Sequence, residues 1–272
     1  MQQSVDGKPV GLRENLFRWR TLVGFAVAAA VIYLFLKNFD LKTALSFIPR
    51  AKWHFLLMAF AVYYISLPLR GGRWGIFLKP AGHTIDYRSL THYYFLSWFA
   101  NAVLPARIGD LYRAYLLKKN KEVSISLSLG VLFSERVFDL VITASLVAFS
   151  GIYFWSILQE SGEGDYLIFG FMAVLLILVF FIALIGGLPH LLRFAPERWR
   201  SRLERFHSGL FRSPSLLPII VLMTLLIWLS EALRLYFVFL AFGVNAGFLM
   251  ALFISQASLI LMAVPISPAG LG

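Results

Sequence analysis

Long apolar runs divide the sequence, and most of them could cross a lipid bilayer. They cover residues 21–36, 53–69, 87–104, 123–155, 166–188, 216–242 and 247–264. Because the hydrocarbon core of a bilayer is about 30 Å thick, a crossing helix needs roughly 20 mainly apolar residues. With 59% hydrophobic and 14% charged residues, the chain also carries more apolar surface than a soluble domain can cover. These features predict an all-α, polytopic integral membrane helical bundle.

The composition excludes several kinds of chemistry. The sequence has no cysteine, so it has no disulfide, thiolate metal site or cysteine nucleophile. The five histidines are scattered without HExxH spacing, and no phosphate-binding glycine loop occurs. We therefore expect no catalytic residue, no metal site and no cofactor. The net charge is +11, and the basic residues that produce it lie between the apolar runs. This position favours an anionic membrane surface or anionic lipid headgroups over nucleic acid as a partner.

Basic residues predict how the chain is oriented, since cytoplasmic loops are rich in Lys and Arg. Residues 1–20 are basic and are predicted to be a cytoplasmic N-terminal segment. Four basic residues after the second run are predicted to be cytoplasmic by their charge: Arg70, Arg73, Lys79 and Arg88. The basic residues after Leu104 would then lie on the same side only if the third run turns back at Pro105. This favours a re-entrant segment over an ordinary loop between two spans, although the basic loop with Lys37, Lys42, Arg50 and Lys52 contradicts the rule.

A possible repeat supports broken helices at two places. The string LPARIGD (104–110) is echoed by SPAGLG (267–272), which aligns Pro105 with Pro268 and Gly109 with Gly272. Paired broken helices in two halves are typical of transporters that bind substrate between the halves. We therefore predict that residues 21–272 form one transmembrane domain of two pseudo-repeated halves. It would have about six spans plus re-entrant segments near 87–108 and 260–272, in a chain that looks truncated at its C-terminus.

Charged residues occur inside the predicted spans. The fourth run contains Glu135, Arg136 and Asp139, and the sixth contains Glu231 and Arg234. Charges at this depth are costly and usually line a polar interior, so we predict a hydrophilic site. The alternative is that each group is a self-neutralising ion pair that only locks helices together.

The break itself supplies the sharpest candidate for a phosphate ligand. Arg107 precedes a helix start, where a guanidinium and free amide groups both favour an anion. The alternative is that Arg107 extends to the membrane interface. Arg113, one turn after Asp110, is expected to pair with it. The basic stretch 193–212 is predicted to be an amphipathic helix on the cytoplasmic surface.

Three strings of this sequence resemble a known family. They are NAVLPARIGDLYRAYLL (101–117), SLGVLFSERVFDLV (128–141) and PISPAGLG (265–272). They are similar to the transmembrane region of lysylphosphatidylglycerol synthases, the flippase-like membrane domain of the multiple peptide resistance factor. This family usually has Glu in place of Asp110 and continues beyond Gly272 with an acidic residue and further spans.

The resemblance implies movement of a lipid between leaflets of a bacterial or archaeal cytoplasmic membrane. The lipid would be an anionic or aminoacylated phospholipid, or another phosphate-bearing lipid. The synthase activity belongs to a separate soluble domain, so we expect this chain not to be the enzyme. The residues predicted to hold the headgroup or line its cavity are Asn101, Pro105, Arg107, Gly109, Asp110, Arg113, Glu135, Arg136, Asp139, Glu231, Arg234, Pro268, Gly270 and Gly272.

Two other functions stay open. The chain could be the membrane subunit of a lipid-modifying transferase, with Glu135 or Asp139 as a base. It could also be a scaffold that recruits a lipid-modifying enzyme or a glycosyltransferase through residues 193–212. A homo-oligomer is a further alternative to a single chain, and neither the lipid nor the driving force can be named from the sequence.

Overall fold

The chain is all-helical wherever its structure is described. The computed structural model describes residues 33, 45–103, 108–154, 160, 164–191, 196–211 and 213–263, and no strand occurs among them. The chain divides into two compact units, Met1–Ala51 and Lys52–Gly272. The first contributes the short 3-10 helix Ile48–Arg50. All the helices below belong to the second unit, which confirms the predicted all-α bundle.

The helices of the second unit follow one another with short connections. Their bounds are α1 Trp53–Leu78, α2 Tyr87–Val103, α3 Ile108–Lys121, α4 Ile125–Tyr153, α5 Gly164–Leu191, α6 Glu197–Gly209, α7 Leu217–Ala241 and α8 Phe248–Ala263. The 3-10 turns Lys79–Ala81 and Pro214–Leu216 follow α1 and precede α7.

Two segments of the described chain are long and apolar enough to cross a membrane. They are Trp53–Ala81, which contains α1, and Pro214–Ala241, which contains α7. Less than a third of each apolar window is buried in the protein, so most of its side chains face outwards. Outward-facing apolar side chains are also frequent on α5, where Leu176 and Val179 are both more than 60% exposed. This pattern is typical of helices in contact with lipid rather than with water.

The predicted runs agree with most of these helices, but the second run was predicted too short. It was expected to end at residue 69, whereas α1 continues without interruption to Leu78. Arg70 and Arg73 therefore lie within the helix and not in a loop, and Arg73 is only 1% exposed. The prediction that these two residues follow the second span was therefore wrong, whereas the cytoplasmic side of this end of α1 stays a prediction. The apolar run 21–36 lies almost entirely outside the described residues.

Helices α1 and α7 pack antiparallel along their length. At one end, the Lys52 amide donates a hydrogen bond to the Ala241 carbonyl at 2.8 Å. Further along, Arg73 contacts Thr224, which lies 17 residues earlier in α7. The same packing brings Arg70 of α1 next to Glu231 of α7.

Helices α2 and α3 form an antiparallel hairpin, in which the start of α2 lies next to the end of α3. These two ends, away from the connection, are called the outer ends. Near the connection, the Gly109 amide donates to the Asn101 side-chain oxygen at 2.8 Å. A Cβ atom on Gly109 would overlap the Ser97 carbonyl oxygen, so only glycine allows this approach. At the outer ends, Lys121 lies 2.7 Å from Asp86. The hydrogen bond lowers the pKa of Asp86 and raises that of Lys121, so both stay charged at neutral pH.

The predicted amphipathic segment contains a helix, α6, that packs across α4. Gly130 of α4 and Gly209 of α6 touch the opposite backbone, and a Cβ atom on Gly130 would overlap the Phe206 carbonyl oxygen. The other face of α6 is exposed and carries Trp199 and Arg200. The position of this helix at the cytoplasmic surface stays a prediction.

Candidate functional site

Six charged side chains from α1, α3 and α4 form a closed ring in which positive and negative groups alternate. Each member lies within 4.0 Å of the next. The members of this charge ring, in order, are Arg73, Asp139, Arg136, Asp110, Arg113 and Glu135. With three guanidinium groups and three carboxylates, the ring is electrically neutral.

The three shortest contacts in the ring each join two different helices. Arg73 holds Asp139 through two nitrogens, at 2.5 and 3.3 Å. Arg113 donates to Glu135 at 2.8 Å. Arg136 donates to Asp110 at 2.5 Å. The ring therefore connects α1 to α4 and α3 to α4, and its own geometry depends on how these helices pack.

The ring is closed by longer contacts of 3.6 to 4.0 Å. Arg73 lies 3.6 Å from Glu135, and Arg136 lies 3.8 Å from Asp139 on its own helix. Arg113 lies 4.0 Å from Asp110. Arg113 therefore contacts Asp110, as expected from the sequence, but Glu135 is its nearer partner. Arg136 likewise lies closer to Asp110 than to Asp139 of its own helix.

Most of the ring is inaccessible. The side chains of Arg73, Arg113 and Glu135 are 3% exposed or less, whereas that of Arg136 is 40% exposed. A buried charge is tolerated only when it is paired and hydrogen-bonded. Every member of the ring has a charged partner, although four buried atoms of Arg73, Arg113 and Glu135 have no hydrogen-bond partner among the described residues. The exposed members are Arg136 and, at 21%, Asp110.

Aromatic and polar side chains complete the surroundings of the ring. Arg113 lies between the rings of Trp74 and Tyr94, with its guanidinium carbon 4.6 Å from each centroid. Cation–π contacts of this kind stabilise a guanidinium away from water. Asp139 accepts a hydrogen bond from the Trp228 indole at 3.1 Å, and Thr224 accepts one from Arg73 at 2.9 Å.

A second group of charges lies between α1 and α7. Glu231 uses one carboxylate oxygen to accept from Arg70 at 2.8 Å and the other to accept from Arg234 at 2.9 Å. Arg70 lies over the ring of Trp228 at 5.1 Å, and Arg234 lies over the ring of Tyr63 at 5.4 Å. This Glu231 cluster has two guanidinium groups and one carboxylate.

Trp228 connects the two groups of charges. Its indole nitrogen donates to Asp139 of the charge ring, while its ring face lies under Arg70 of the Glu231 cluster. The backbone carbonyl of Trp228 accepts a hydrogen bond from the fully buried Gln256 of α8 at 3.1 Å. The two groups together contain five arginines and four carboxylates, which leaves one positive charge in excess.

The structure brings together most of the residues predicted for the site. Asn101 and Gly109 lie at the hairpin beside the ring, whose members include all five predicted charged residues of α3 and α4. Glu231 and Arg234 form the second cluster. The remaining candidates lie outside the described residues, and they are Pro105, Arg107, Pro268, Gly270 and Gly272. The functional roles of all these residues stay predictions.

The sequence reasoning missed the contribution of α1. Arg70 and Arg73 each supply the partner of an acidic residue on another helix. Trp74, Tyr94, Thr224, Trp228 and Gln256 were also not predicted. The string LRGGRW (69–74) contained a usable signal, because two arginines three residues apart share a helix face with an apolar run.

The fold and these clusters define the class of protein: an all-α membrane protein with paired charges between its helices. The chain belongs to the lysylphosphatidylglycerol synthase transmembrane region family, whose model matches residues 21–272. This finding confirms the resemblance seen in the three sequence strings.

Relatives of the chain occur in archaea. It is 35% identical to a UPF0104 membrane protein of Methanocaldococcus jannaschii over 178 residues, which cover 64% of this chain and 74% of that protein. It is 21% identical to a UPF0104 membrane protein of Pyrococcus horikoshii over 276 residues, covering 90% and 82% of the two chains. It is also 32% identical to the glycosyltransferase AglD of Haloferax volcanii over 136 residues, which cover 50% of this chain and 22% of AglD. No solved structure matches the chain.

Proposed function

We propose that this membrane protein binds the phosphate-bearing headgroup of a lipid in its polar interior and helps the lipid cross between leaflets. One observation carries the proposal: nine charged side chains are gathered between mainly apolar helices, and the arginines outnumber the carboxylates by one. An excess of positive charge in that setting favours an anionic partner.

The energetic cost of these charges supports a functional role over a purely structural one. Placing one Arg or Asp at the centre of a membrane helix costs about 2.5–3.5 kcal/mol on insertion scales. Well-packed apolar residues often stabilise a fold as well as a buried ion pair does. A bundle that needed only rigidity could therefore use Leu and Ile at these positions.

The hairpin of α2 and α3 supports a re-entrant path beside the ring. Its outer ends meet at Asp86 and Lys121, as expected if the chain enters and leaves on the same side. Arg107, which lies outside the described residues, is the proposed phosphate ligand of this segment. Arg113 donates to Glu135 and stacks on Trp74, so its proposed role is to hold the hairpin against α4.

The arrangement in the membrane is part of the same proposal. The protein would lie in the cytoplasmic membrane with its N-terminus inside, as the basic segment 1–20 suggests. The motif at 267–272 would form the second broken helix, so that Pro268, Gly270 and Gly272 face the first across a pseudo-repeat. Phospholipids are then the direct partners of this domain.

A second function is favoured by one comparison. The 136 residues that this chain shares with the glycosyltransferase AglD make up only 22% of AglD. In AglD the similar region is therefore one part of a larger protein that is named as an enzyme. The chain could accordingly serve as the membrane subunit of a transferase acting on a lipid. Turnover of a lipid-linked sugar by the purified protein, with no lipid movement, would favour this reading.

Transbilayer movement tests the main proposal. The full-length protein is placed in liposomes with fluorescent phosphatidylglycerol, and dithionite quenching reports the lipid that reaches the outer leaflet. The informative variant is Arg234→Gln, which removes the excess positive charge while Arg70 still holds Glu231. Arg200→Gln is the matched control, because Arg200 also pairs with an acid on its own helix but lies on exposed α6.

We expect rapid movement with the wild type and with Arg200→Gln. Arg234→Gln should slow it about tenfold or more, the equivalent of one charge-assisted hydrogen bond. Equal rates of lipid movement in all three proteins would mean that the moving lipid does not contact the Glu231 cluster. No lipid movement with the wild type would contradict the proposal and favour the second function, the membrane subunit of a transferase.

A further inference from the structure

Glu231 occupies an unusual position between two arginines of different helices. One of its oxygens accepts from Arg70 and the other from Arg234, so the carboxylate bridges the two guanidinium groups. Each arginine also rests on an aromatic ring, Trp228 for Arg70 and Tyr63 for Arg234. Trp98 packs edge-on against Tyr63, with the ring centroids 5.5 Å apart. The two cations are therefore held in place by groups other than Glu231.

The Glu231 cluster is also the more accessible group of charges. The side chains of Arg70 and Glu231 are both 13% exposed, and that of Arg234 is 44% exposed. In the charge ring, Arg136 is 40% exposed, but the other two arginines, Arg73 and Arg113, are only 1% exposed. An anion arriving from outside reaches Arg234 without disturbing the buried ring.

A phosphodiester resembles the carboxylate in the features that these arginines recognise. Both carry one negative charge shared between two equivalent oxygens, and both accept parallel hydrogen bonds from guanidinium groups. The charge of the cluster also matches. Two arginines and one carboxylate leave one positive charge, which a phosphodiester monoanion neutralises without any change in protonation.

We propose that Arg70 and Arg234 form a binding site for a phosphodiester and that Glu231 occupies it when the ligand is absent. This inference rests on the proposed function and deepens it by naming the site and the ligand class. The lipid phosphate takes the place of the carboxylate between the two guanidinium groups, and Glu231 moves aside while staying within the same neutralised cluster. Glu231 is then a competing anion built into the protein, and it weakens ligand binding instead of providing it.

Replacement of Glu231 tests this directly, because a competitor and a structural ion pair predict opposite signs. Glu231→Gln removes the competing charge but keeps the shape of the side chain. Its matched control is Glu204→Gln, which removes a carboxylate bonded to Arg200 on the exposed helix α6. Isothermal titration calorimetry of the full-length protein in detergent measures binding of dihexanoyl phosphatidylglycerol, with inorganic phosphate titrated separately.

We expect Glu231→Gln to bind the short-chain phosphatidylglycerol about tenfold more tightly than the wild type, since one competing charge-assisted interaction is lost. Glu204→Gln should bind like the wild type. Equal or weaker binding by a folded Glu231→Gln protein, with the fold checked by gel filtration and circular dichroism, would overturn the proposal. If inorganic phosphate binds as tightly and shows the same response, the exchange is supported with free phosphate as the ligand.

A second variant decides the matter if Glu231→Gln does not fold. Arg234→Gln leaves Glu231 paired with Arg70, so it should fold and should lose binding relative to Arg200→Gln. Unchanged binding by Arg234→Gln would overturn the site. Because calorimetry measures binding and dithionite quenching measures movement, a protein that binds but does not move lipid contradicts the proposed function alone.

Discussion

At the residue scale, Glu135 is the carboxylate on which the charge ring depends most. It contacts both of the least exposed arginines, Arg113 at 2.8 Å and Arg73 at 3.6 Å. Without it, Arg113 keeps only the 4.0 Å contact with Asp110 among the acids of the ring. A buried guanidinium that loses its partner has neither water nor a counter-ion to replace it.

Replacing Glu135 with Gln should destabilise the protein strongly. Breaking a buried ion pair from one side costs about 3–5 kcal/mol. The matched change Glu204→Gln, in the exposed pair with Arg200, should cost about 0–1 kcal/mol. Unfolding by sodium dodecyl sulfate in mixed micelles, followed by circular dichroism, compares the two variants. Closely similar losses of stability would mean that the ring is not the buried network described here.

The sequence predicted the acidic side of the site better than the basic side. Glu135, Asp139 and Glu231 stand out because acids within apolar runs are rare and costly. Arg70 and Arg73 stand at the end of an apolar run, where arginines usually mark a cytoplasmic loop. Only the contacts with Glu231 and Asp139, which are more than 60 residues away, reveal that they belong to the interior.

At the element scale, the hairpin of α2 and α3 depends on the close approach at Gly109. The helices touch where Gly109 faces Ser97 and Asn101, and the amide of Gly109 is satisfied by the Asn101 side chain. This approach places Asp110, the next residue, and Arg113, about one turn further along α3, against α4. The hairpin therefore sets the position of one side of the charge ring.

Gly109→Ala should separate the hairpin and destabilise the protein. The added methyl group would overlap a backbone carbonyl, which cannot move away as a flexible side chain could. Overpacking of this kind costs about 1–3 kcal/mol. Gly186→Ala on α5 is the control, because nothing lies within 4 Å of its Cβ position and alanine favours a helix. Thermal unfolding in detergent measures both, and an unchanged midpoint for Gly109→Ala would contradict the close approach.

Helix positions were predictable from apolar runs, but the packing between helices was not. The helices Tyr87–Val103 and Leu217–Ala241 lie within a residue or two of their predicted runs. The length of an apolar run is set by the thickness of the hydrocarbon core that the helix must cross. The length of α1 was underestimated, since Gly71 and Gly72 beside two arginines look like the end of a span. Which helix each charged face meets depends on contacts between distant segments, which hydrophobicity does not record.

At the scale of the whole molecule, the α2–α3 hairpin and helix α7 predict a definite sidedness. Thr84 precedes the hairpin and Asn120 lies in its last turn, and the contact between Asp86 and Lys121 holds these two ends together. Asn245 follows α7, whose 25 residues give a length of about 37 Å, enough to cross the hydrocarbon core. Asn245 should therefore lie on the opposite side of the membrane from the end of α1.

Single cysteines test this arrangement, because the chain has none of its own. Thr84→Cys and Asn120→Cys should react with a membrane-impermeant maleimide from one side, and Asn245→Cys from the other. Inside-out and right-side-out vesicles provide the two directions of access. Labelling of Thr84→Cys and Asn120→Cys from opposite sides would mean that this segment crosses the membrane completely, against the re-entrant path.

The central claim is that a lipid headgroup enters the charged interior, and photo-crosslinking tests it most directly. The full-length protein in nanodiscs is irradiated with phosphatidylglycerol that carries a photoreactive group on its headgroup, and mass spectrometry maps the modified residues. The account predicts adducts on the side chains around the Glu231 cluster, such as Tyr63 and Trp98, that decrease in Arg234→Gln. Adducts confined to outward-facing residues of α5, such as Leu176 and Val179, would contradict it.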